Sequence, residues 1–565
     1  MALSRREFLQ LLAVAAGQGL ALAPAQAQSA ADNGRYYDLG RARGNVTLLH
    51  FSDCHAQLLP GYFREPDTQI GVGSAHLQPP HLTGEALLKH FGIAANSRDA
   101  HAFTHLDFVT AAHTYGAVGG FAHLATLVQQ LRAQRPGALL LDGGDTWQGS
   151  ATALWSNAQD MIDATRQLGV DYMTGHWEFT YGAARVNQVI TTDFRGRTEF
   201  LAQNVRTLDF EDPVFAATSL REVNGARIAI IGQAYPYTPI ANPRHFVPDW
   251  TFGIQEERLQ TLVDAARQQG AAAVILLSHN GMDIDLKLAS RVSGIDLILG
   301  GHTHDAVPQA ITVANRHGHT QVTNAGANGK FLGVAELDIR AGKLHGCHYR
   351  LLPVFANLLP ADPAMQTLIN RHRAPYLERL ERVLTHTNGL LYRRDNFGGS
   401  ADQLILSALL ATQDTEIAFS PGFRWGATLL PNTAITVEDV MRLTAITYPA
   451  VTRNTFTGAA LKDLLEDLCD NLFNPDPYLQ QGGDMVRVAG LRYSCAPHQN
   501  IGQRISNLYV NDTPLDPNRV YTVASWASVA PEARGTPIWD VLGQYCSAHQ
   551  TLPVISPQHP ALIMR

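Results

Sequence analysis

Short apolar runs that end in glycine, aspartate or histidine recur between residues 45 and 355, and helical patterns separate them. The runs are TLLHFSDCH, ALLLDGGD, ARIAIIGQ, AAVILLSHN and IDLILGGHTH, and each is short enough for a buried strand. GGFAHLATLVQQLRAQRPG and QEERLQTLVDAARQQG carry apolar residues at helical spacing. This alternation predicts an α/β layered domain.

Histidine and aspartate are concentrated where these runs end. The fragments are Asp53-Cys54-His55, Gly143-Gly144-Asp145, Gly175-His176-Trp177-Glu178, Ser278-His279-Asn280 and Gly300-Gly301-His302-Thr303-His304. Most of these fragments, taken alone, are more often structural turns or satisfied polar residues. Ligands in α/β sheets gather at the carboxyl ends of the strands, however, and every fragment lies at such an end. We therefore expect the fragments to converge on one site.

Together the fragments supply five histidines and two carboxylates, enough for two metal ions that share a bridging aspartate. The predicted ligands are Asp53, His55, Asp145, His176, His279, His302 and His304. A metal pair of this kind holds a tetrahedral oxyanion and generates a hydroxide nucleophile near neutral pH. Mixed imidazole and carboxylate ligands suit Mn, Fe or Zn better than Mg or Ca. Glycines beside the ligands let the backbone approach the metals closely.

The rest of the chain predicts a second domain. A chain of 565 residues exceeds the size at which one core keeps growing. Residues 361–385 have the pattern of a charged helix, or helix pair, broken at Pro375, and we interpret them as a linker. SADQLILSALLAT and GAALKDLLEDLCDNLF then predict helices, and RISNLYVNDTPLDPNRVYTVASW predicts strands. The predicted divisions are 1–27, 28–360, 361–385 and 386–565, the last an α+β domain.

The N-terminus predicts a targeting segment. Arg5 and Arg6 stand in tandem before an apolar run, and Ala25-Gln26-Ala27 predicts cleavage after Ala27. An ordinary secretory signal and an amphipathic helix are the alternatives, but SRREFL resembles the twin-arginine export motif, which carries folded proteins. No later apolar run is long enough to span a bilayer. We expect a periplasmic protein, exported with its metal loaded.

Composition excludes several classes of partner and site. Hydrophobic residues are 45% and charged residues 16%, as in a globular protein, and the net charge of -7 gives no basis for binding nucleic acid or an anionic membrane. The five cysteines, Cys54, Cys347, Cys469, Cys495 and Cys546, contain no CxxC pair, so a thiolate zinc site is not expected. An odd number leaves at least one thiol free or paired between chains. Cys54 is predicted to be a small buried residue.

The order of the five fragments resembles that of the two-domain 5′-nucleotidase group of metallophosphoesterases. AFSPGFRWG, FTGAALKDLLED, VRVAGLRYS and VYTVASW resemble the C-terminal domain of that group. The resemblance implies a four-layer α/β/β/α sandwich with a smaller α+β C-terminal domain, and it favours manganese. It also implies one metal on Asp53, His55, Asp145 and His304, and a second on Asp145, His176, His279 and His302.

Departures from the group lie in the loop that follows the third strand. The family loop is G-N-H-E-F-D-Y-G, and here His176 replaces the asparagine ligand, Trp177 the catalytic histidine and Thr180 its aspartate partner. Acid–base and electrostatic contributions of this kind are typically worth about 10²–10⁴-fold, so ordinary phosphate-ester hydrolysis is not expected. The nucleoside clamp differs too, because GGIR becomes Pro421–Arg424 and P-F-G-N becomes residues 448–451.

These departures resemble the SoxB branch of the group, through DFVTAAHTYGAVGGFAHLATLV, GDTWQGSATALW, GHWEFTYG and FSPGFRWG. The resemblance implies a monomeric thiosulfohydrolase that releases sulfate from a cysteine S-thiosulfonate on the SoxY arm of the SoxYZ carrier, by attack of a metal-bound hydroxide. The predicted catalytic residues are Asp145, His176, Trp177 and Arg424. The alternatives are a periplasmic nucleotidase or phosphodiesterase, and a non-catalytic metal-binding or carrier-binding protein.

The sequence leaves two possible roles open for Trp177 and for Arg424, and it gives Glu178 a supporting role. A persulfide leaving group needs little protonation, so Trp177 is free to shape or dry the pocket, or it is a packing residue only. Arg424 is a fork donor to sulfonate oxygens, or it is a salt bridge at a domain interface. Glu178 is expected to orient a ligand histidine rather than to bind metal.

Overall fold

The computed structural model describes residues 36–531 and 533–564. The predicted signal peptide, residues 1–27, lies outside the described residues. Residues 43–565 form one compact unit, and residues 36–42 belong to a separate one. Within the described ranges, no helix combines the length and the apolarity that a membrane span requires.

A six-stranded sheet carries three of the predicted strand-end fragments. Its spatial order is β14 (Lys343–Pro353), β13 (Phe331–Arg340), β1 (Val46–Phe51), β2 (Leu139–Asp142), β3 (Tyr172–Met173) and β4 (Glu199–Phe200). Strands β1 to β4 pair in parallel, and β13 pairs antiparallel with both β1 and β14. The carboxyl ends of β1, β2 and β3 therefore share one edge.

A second six-stranded sheet carries the other two fragments. Its order is β11 (Ile311–Asn315), β12 (Gly318–Asn324), β10 (Leu297–Gly300), β9 (Ala273–Ser278), β7 (Ala226–Gln233) and β6 (Thr218–Val223). Strands β7, β9, β10 and β12 are parallel, and the two outer strands are antiparallel. A third pair joins β5 (Arg206–Thr207) to β8 (Trp250–Thr251).

The two large sheets pack face to face. Leu48 and Leu141 of the first sheet share a buried core with Ile230, Ile275 and Leu299 of the second. In the second sheet, the strand neighbours Ile231, Leu276 and Ile298 point the other way, as pleating requires, and pack against the helices Glu256–Gln268 and Met282–Arg291. The central strands β1, β2, β9 and β10 are almost entirely apolar and fully buried, as is typical of strands covered on both faces. The predicted four-layer α/β/β/α sandwich is confirmed.

The helices occupy the outer layers and the C-terminal part. They are α1 (Gly84–Phe91), α2 (Arg98–Phe103), α3 (Phe108–Tyr115), α4 (Phe121–Gln134), α5 (Ala151–Trp155), α6 (Gln159–Leu168), α7 (Ala183–Gln188), α8 (Thr238–Ala241), α9 (Glu256–Gln268), α10 (Met282–Arg291), α11 (Pro363–Arg373), α12 (Leu377–Leu380), α13 (Ser400–Gln413), α14 (Val437–Thr444), α15 (Gly458–Phe473) and α16 (Ile538–Ser547). The predicted face of α4, formed by Phe121, Leu124, Val128 and Leu131, is buried.

Residues after 380 form smaller sheets with helices, the predicted α+β arrangement. The sheets are β18 (Val451–Thr457), β23 (Val520–Trp526), β16 (Ile417–Ser420) and β19 (Arg487–Ala489); β22 (Thr513–Pro514), β21 (Ile505–Val510), β20 (Leu491–Cys495) and β24 (Ala561–Leu562); and β15 (Val383–Thr387) with β17 (Thr433–Thr436). The expected break at Pro375 is a 3₁₀ turn, Ala374–Tyr376, between α11 and α12. The domain boundaries stay predictions.

Candidate metal centre

All seven predicted ligands meet at the shared edge of the two sheets, in two buried clusters. One cluster holds Asp145, His176, His279 and His302, and the other holds Asp53, His55 and His304. Within each cluster the candidate ligand atoms lie within 4.8 Å of one another. Residues as distant in sequence as Asp53 and His304 are neighbours because each follows a parallel strand.

Asp145 lies between the two clusters. Its Oδ2 atom is 3.1 Å from His176 Nδ1 and 3.2 Å from His279 Nε2. The same oxygen is 3.9 Å from His55 Nε2 of the other cluster. Asp53 likewise approaches both clusters, with Oδ1 3.4 Å from His304 Nε2 and 3.7 Å from His279 Nε2. An aspartate in this position can be shared by two cations.

The ligand loops adopt backbone conformations that ordinary residues avoid. Positive φ angles occur at Asp53 (54°), His55 (44°), Asp145 (56°), His302 (73°) and His304 (59°). Non-glycine residues rarely take this left-handed conformation, and such strain clusters at functional sites. The strain here turns each side chain from its strand end toward the same point.

The side chains present fit two divalent cations. Both ring nitrogens of His302 and Nδ1 of His304 are buried and have no hydrogen-bond partner among the described residues. Buried polar atoms without partners are costly, and coordination to a cation would satisfy them. The mixture of imidazole nitrogen and carboxylate oxygen is suited to Mn, Fe or Zn. The two clusters therefore fit a dinuclear metal site.

Burial keeps most of the histidines in the form that binds metal. It lowers the pKa of His302 and His304 well below the ordinary value, and that of His55 to about 4. The neutral ring has a lone pair for coordination. His279 differs, because the nearby Asp145 and Asp53 outweigh burial and raise its pKa to about 10.

Glu178 holds the ligand loops together from behind. Its carboxylate accepts hydrogen bonds from the backbone N–H groups of Asp145 (3.2 Å), Thr146 (2.7 Å), Trp147 (3.3 Å) and His176 (2.9 Å). The side chain is fully buried and contributes no atom to either cluster. It ties the loop that carries Asp145 to the loop that carries His176, the kind of support that orients metal ligands.

A cavity of about 300 Å³ opens onto the clusters, and aromatic rings form one of its walls. The Trp177 ring lies edge to face against Phe423, with centroids 5.0 Å apart, and 6.2 Å from Trp425. Trp177 is 7% exposed and belongs to a large apolar core as well as to the cavity wall. Trp177 therefore packs in the core and lines the cavity at the same time, so the two interpretations of this residue do not exclude each other.

Arg424 also lines the cavity, between Phe423 and Trp425 in the sequence. Asp484 accepts from its Nε (3.2 Å) and the Gly483 carbonyl accepts from its Nη2 (2.9 Å). Both partners belong to the C-terminal part of the chain, as Arg424 does. The guanidinium is held in place with its charge close enough to lower the pKa of His302 and His304 further.

Two buried residues beside the cluster were missed in the sequence. The Tyr235 ring stacks on His302, with centroids 4.1 Å apart, and its hydroxyl donates to the Gln481 carbonyl at 2.5 Å. Asn242 lies 3.4 Å from His176 Nε2. Tyr235 follows the end of β7, so the strand-end rule that found the ligands also covers it. Asn242 lies further along the same loop and has no local signal.

Two clusters that can share a carboxylate, at the strand ends of an α/β/β/α sandwich, fit the site of a dinuclear metallohydrolase. A family model described as 5′-nucleotidase, C-terminal domain, matches residues 384–542. Bovine 5′-nucleotidase is 24% identical over 515 residues, which cover 82% of this chain and 86% of that protein.

Similar solved structures indicate the branch of the family to which the chain belongs. Thermus thermophilus sulfate thiohydrolase SoxB, in complex with glycerol, is 37% identical with a TM-score of 0.88, and the match covers 92% of this chain and 97% of that one. A 5′-nucleotidase precursor from Thermus thermophilus shares the fold, with 21% identity, a TM-score of 0.72 and coverage of 92% and 99%. The chain belongs to the SoxB family within the two-domain 5′-nucleotidase group.

Proposed function

We propose that this protein is a thiosulfohydrolase, which releases sulfate from a cysteine S-thiosulfonate on a SoxYZ carrier. The observation that carries the proposal is the loop at Trp177 and Thr180. The Thr180 hydroxyl donates to the Trp177 carbonyl at 2.8 Å, and the Trp177 side chain lines the cavity. Neither side chain is an acid of the kind that an alkoxide leaving group needs.

The reaction fits a site without that acid. The oxygen of water bonds to the sulfonate sulfur, the S–S bond breaks, and the persulfide sulfur keeps the bonding pair on the carrier. Sulfate and two protons are the other products. A persulfide is a much weaker base than an alkoxide, so it leaves without being protonated.

The metal ligands, Arg424 and Trp177 each have a separate role in the proposed reaction. When bound, two divalent ions at the clusters polarise the sulfonate and lower the pKa of water. The seven ligands, with Asp145 shared, position those ions, and manganese is the ion we propose. Arg424, fixed by Asp484, directs its charge at the sulfonate oxygens. The Trp177 wall keeps bulk water from the breaking S–S bond.

The partner and the compartment belong to the same proposal. A substrate carried on a protein cysteine has to reach the clusters through the mouth of the cavity, and the exposed side chain of Ile240 lines that mouth. We propose a monomeric periplasmic enzyme, exported by the twin-arginine route, whose substrate is the SoxY cysteine arm of SoxYZ.

The test is sulfate release from thiosulfonate-loaded SoxYZ by the manganese-loaded protein, with nucleotide hydrolysis assayed in parallel. Asp145→Asn, which removes the shared carboxylate, is the control against a contaminating activity and should release no sulfate. Sulfate release without nucleotide hydrolysis is the expected result. Nucleotide hydrolysis without sulfate release would overturn the proposal and favour a periplasmic nucleotidase. Carrier binding without either activity would favour a non-catalytic binding protein.

A further inference from the structure

The His176 ring makes a polar contact on each of its two nitrogens. Nδ1 faces Asp145 Oδ2 at 3.1 Å, inside the cluster. Nε2 points away from the cluster, to the Asn242 side-chain amide at 3.4 Å. Because Nδ1 is the atom beside the shared aspartate, it is the nitrogen that has to coordinate a cation.

Asn242 is itself held by a second residue. It is 4% exposed and caps the end of α8, where its Nδ2 donates to the Thr238 carbonyl at 3.3 Å. Its Oδ1 accepts a hydrogen bond from the Tyr448 hydroxyl at 3.2 Å. Tyr448 comes from the loop after α14, so a hydrogen-bonded chain runs from the C-terminal part of the protein to a candidate ligand.

The direction of these hydrogen bonds determines which nitrogen of His176 carries the ring hydrogen. With Nδ2 of Asn242 facing the ring, Nε2 accepts, and in the neutral ring the hydrogen then lies on Nδ1, directed at Asp145. A coordinating nitrogen has to be free of hydrogen. Coordination through Nδ1 therefore requires the opposite tautomer, with the hydrogen on Nε2.

A half-turn of the Asn242 amide supplies that tautomer. Oδ1 then accepts from Nε2–H, and Nδ2 donates to the Tyr448 hydroxyl, which accepts as readily as it donates. The half-turn gives up the bond from Nδ2 to the Thr238 carbonyl, which is long at 3.3 Å, and that carbonyl keeps the backbone N–H of Asn242 at 3.1 Å. We propose that Asn242, supported by Tyr448, is a positioning residue that sets the tautomer of His176 and so controls its availability as a ligand.

The proposal rests on the dinuclear metal site and does not depend on the thiosulfonate substrate. It explains why a histidine in this loop position has an amide partner that can present either an oxygen or a nitrogen. A carboxylate at residue 242 could only accept and would favour the coordinating tautomer, while an aliphatic side chain would favour neither. The two substitutions are therefore expected to act in opposite directions.

The experiment measures manganese binding rather than activity. Protein stripped of metal by a chelator is titrated with Mn²⁺, and the free ion is followed by electron paramagnetic resonance. Asn242→Leu should lower the affinity for one of the two ions by about 10–100-fold, which is the usual loss when a hydrogen-bond partner of a metal ligand is removed. Asn242→Asp should bind that ion at least as tightly as the unsubstituted protein. Tyr448→Phe should fall between the two.

Tyr237→Phe is the matched control, because its hydroxyl bonds the Tyr478 carbonyl in the same neighbourhood without touching His176. Equal weakening by Asn242→Leu and Asn242→Asp, or unchanged binding of both ions by Asn242→Leu, would overturn the proposal. If Asn242→Leu does not fold, the Asn242→Asp variant decides alone. A tenfold loss of Mn²⁺ affinity in that variant would count against the mechanism. Failure of the sulfate assay leaves this binding result unaffected.

Discussion

Trp177 stands where the loop pattern of the 5′-nucleotidase group has a histidine. Replacing it with histidine, together with Thr180→Asp, restores an acid–base pair at the cavity wall. We expect hydrolysis of a nucleoside 5′-phosphate to rise by about 10²-fold, because an alkoxide needs a proton when it leaves. Hydrolysis of p-nitrophenyl phosphate, with a less basic leaving group, should rise less. Steady-state rates on the two esters measure the difference.

The control for this change is Trp177→Phe, which alters the wall without adding an acid. It should lower sulfate release and leave the hydrolysis rates of both phosphate esters unchanged. Metal content has to be equal in all the variants compared. An unchanged ratio of the two ester rates in the histidine variant would contradict the role given to residue 177.

Glu178 provides a second prediction at the residue scale. Its carboxylate accepts four backbone N–H groups, and glutamine at this position would turn an amide donor toward some of them. Since hydrogen bonds to a charged acceptor are worth about 1.5–3 kcal/mol, Glu178→Gln should lower the free energy of unfolding by about 2 kcal/mol or more. Urea denaturation of the metal-stripped protein measures this. Glu257→Gln, at an exposed position of α9, should have almost no effect.

At the scale of elements, the segment 480–484 is one of the parts of the C-terminal half that lie against the metal centre. A Cβ atom at Gly482 would overlap His302 Nε2 and the Tyr235 hydroxyl, and φ there is +81°. Gly482→Ala should therefore displace the segment and lower both manganese affinity and sulfate release. Gly502→Ala is the control, because its φ is +88° and nothing lies within 4 Å of the added atom.

The two glycine variants distinguish the effect of backbone strain at a positive φ from the effect of overlap between the added Cβ atom and neighbouring side chains. Both introduce alanine at a left-handed position and should lose stability for that reason, and Gly482→Ala should lose more because of the overlap. Only Gly482→Ala should lose metal affinity, as measured by Mn²⁺ titration. Equal affinity in the two variants would mean that the segment does not constrain His302.

Helices and strands were predictable from sequence where they are long or where proline or glycine marks their ends. Helices α4 and α9 follow from apolar spacing, and α4 ends beside Pro136-Gly137. Strand β3 contains only two residues, Tyr172–Met173, and no periodicity can identify an element of that length. The position of His176 followed instead from the motif beside it. Asn242, at the end of α8, has no motif beside it, so its approach to His176 depends on tertiary packing.

At the scale of the whole molecule, buried histidines predict sensitivity to acid. Burial, with Lys330 adding to it, lowers the pKa of His101 from 6.5 to about 4. Between these values the unfolded chain binds a proton that the folded protein does not, so stability is complete above pH 6.5 and falls as the pH drops toward 4. His101→Asn should reduce this loss, whereas His113→Asn, at an exposed position, should not. Denaturation midpoints at about pH 7 and about pH 5 provide the measurement.

The overall architecture was predictable to the level of layers. Alternation of strands and helices predicts an α/β domain, and the family resemblance adds the second sheet. The residues alone do not say which sheet a strand joins, because β2 and β10 are equally apolar runs buried on both faces. Tertiary packing decides that, and it also decides how the segment 480–484 reaches His302. The seven ligands were found because their residue types are unusual at strand ends.

The ligands are spread over five loops between Asp53 and His304, and no short stretch of chain holds more than a fraction of them. A growing chain cannot close the site until synthesis has passed His304 and both sheets have formed. An ion bound as the site closes would therefore come from the compartment in which the chain folds, and metal analysis of protein folded in different compartments would show this dependence.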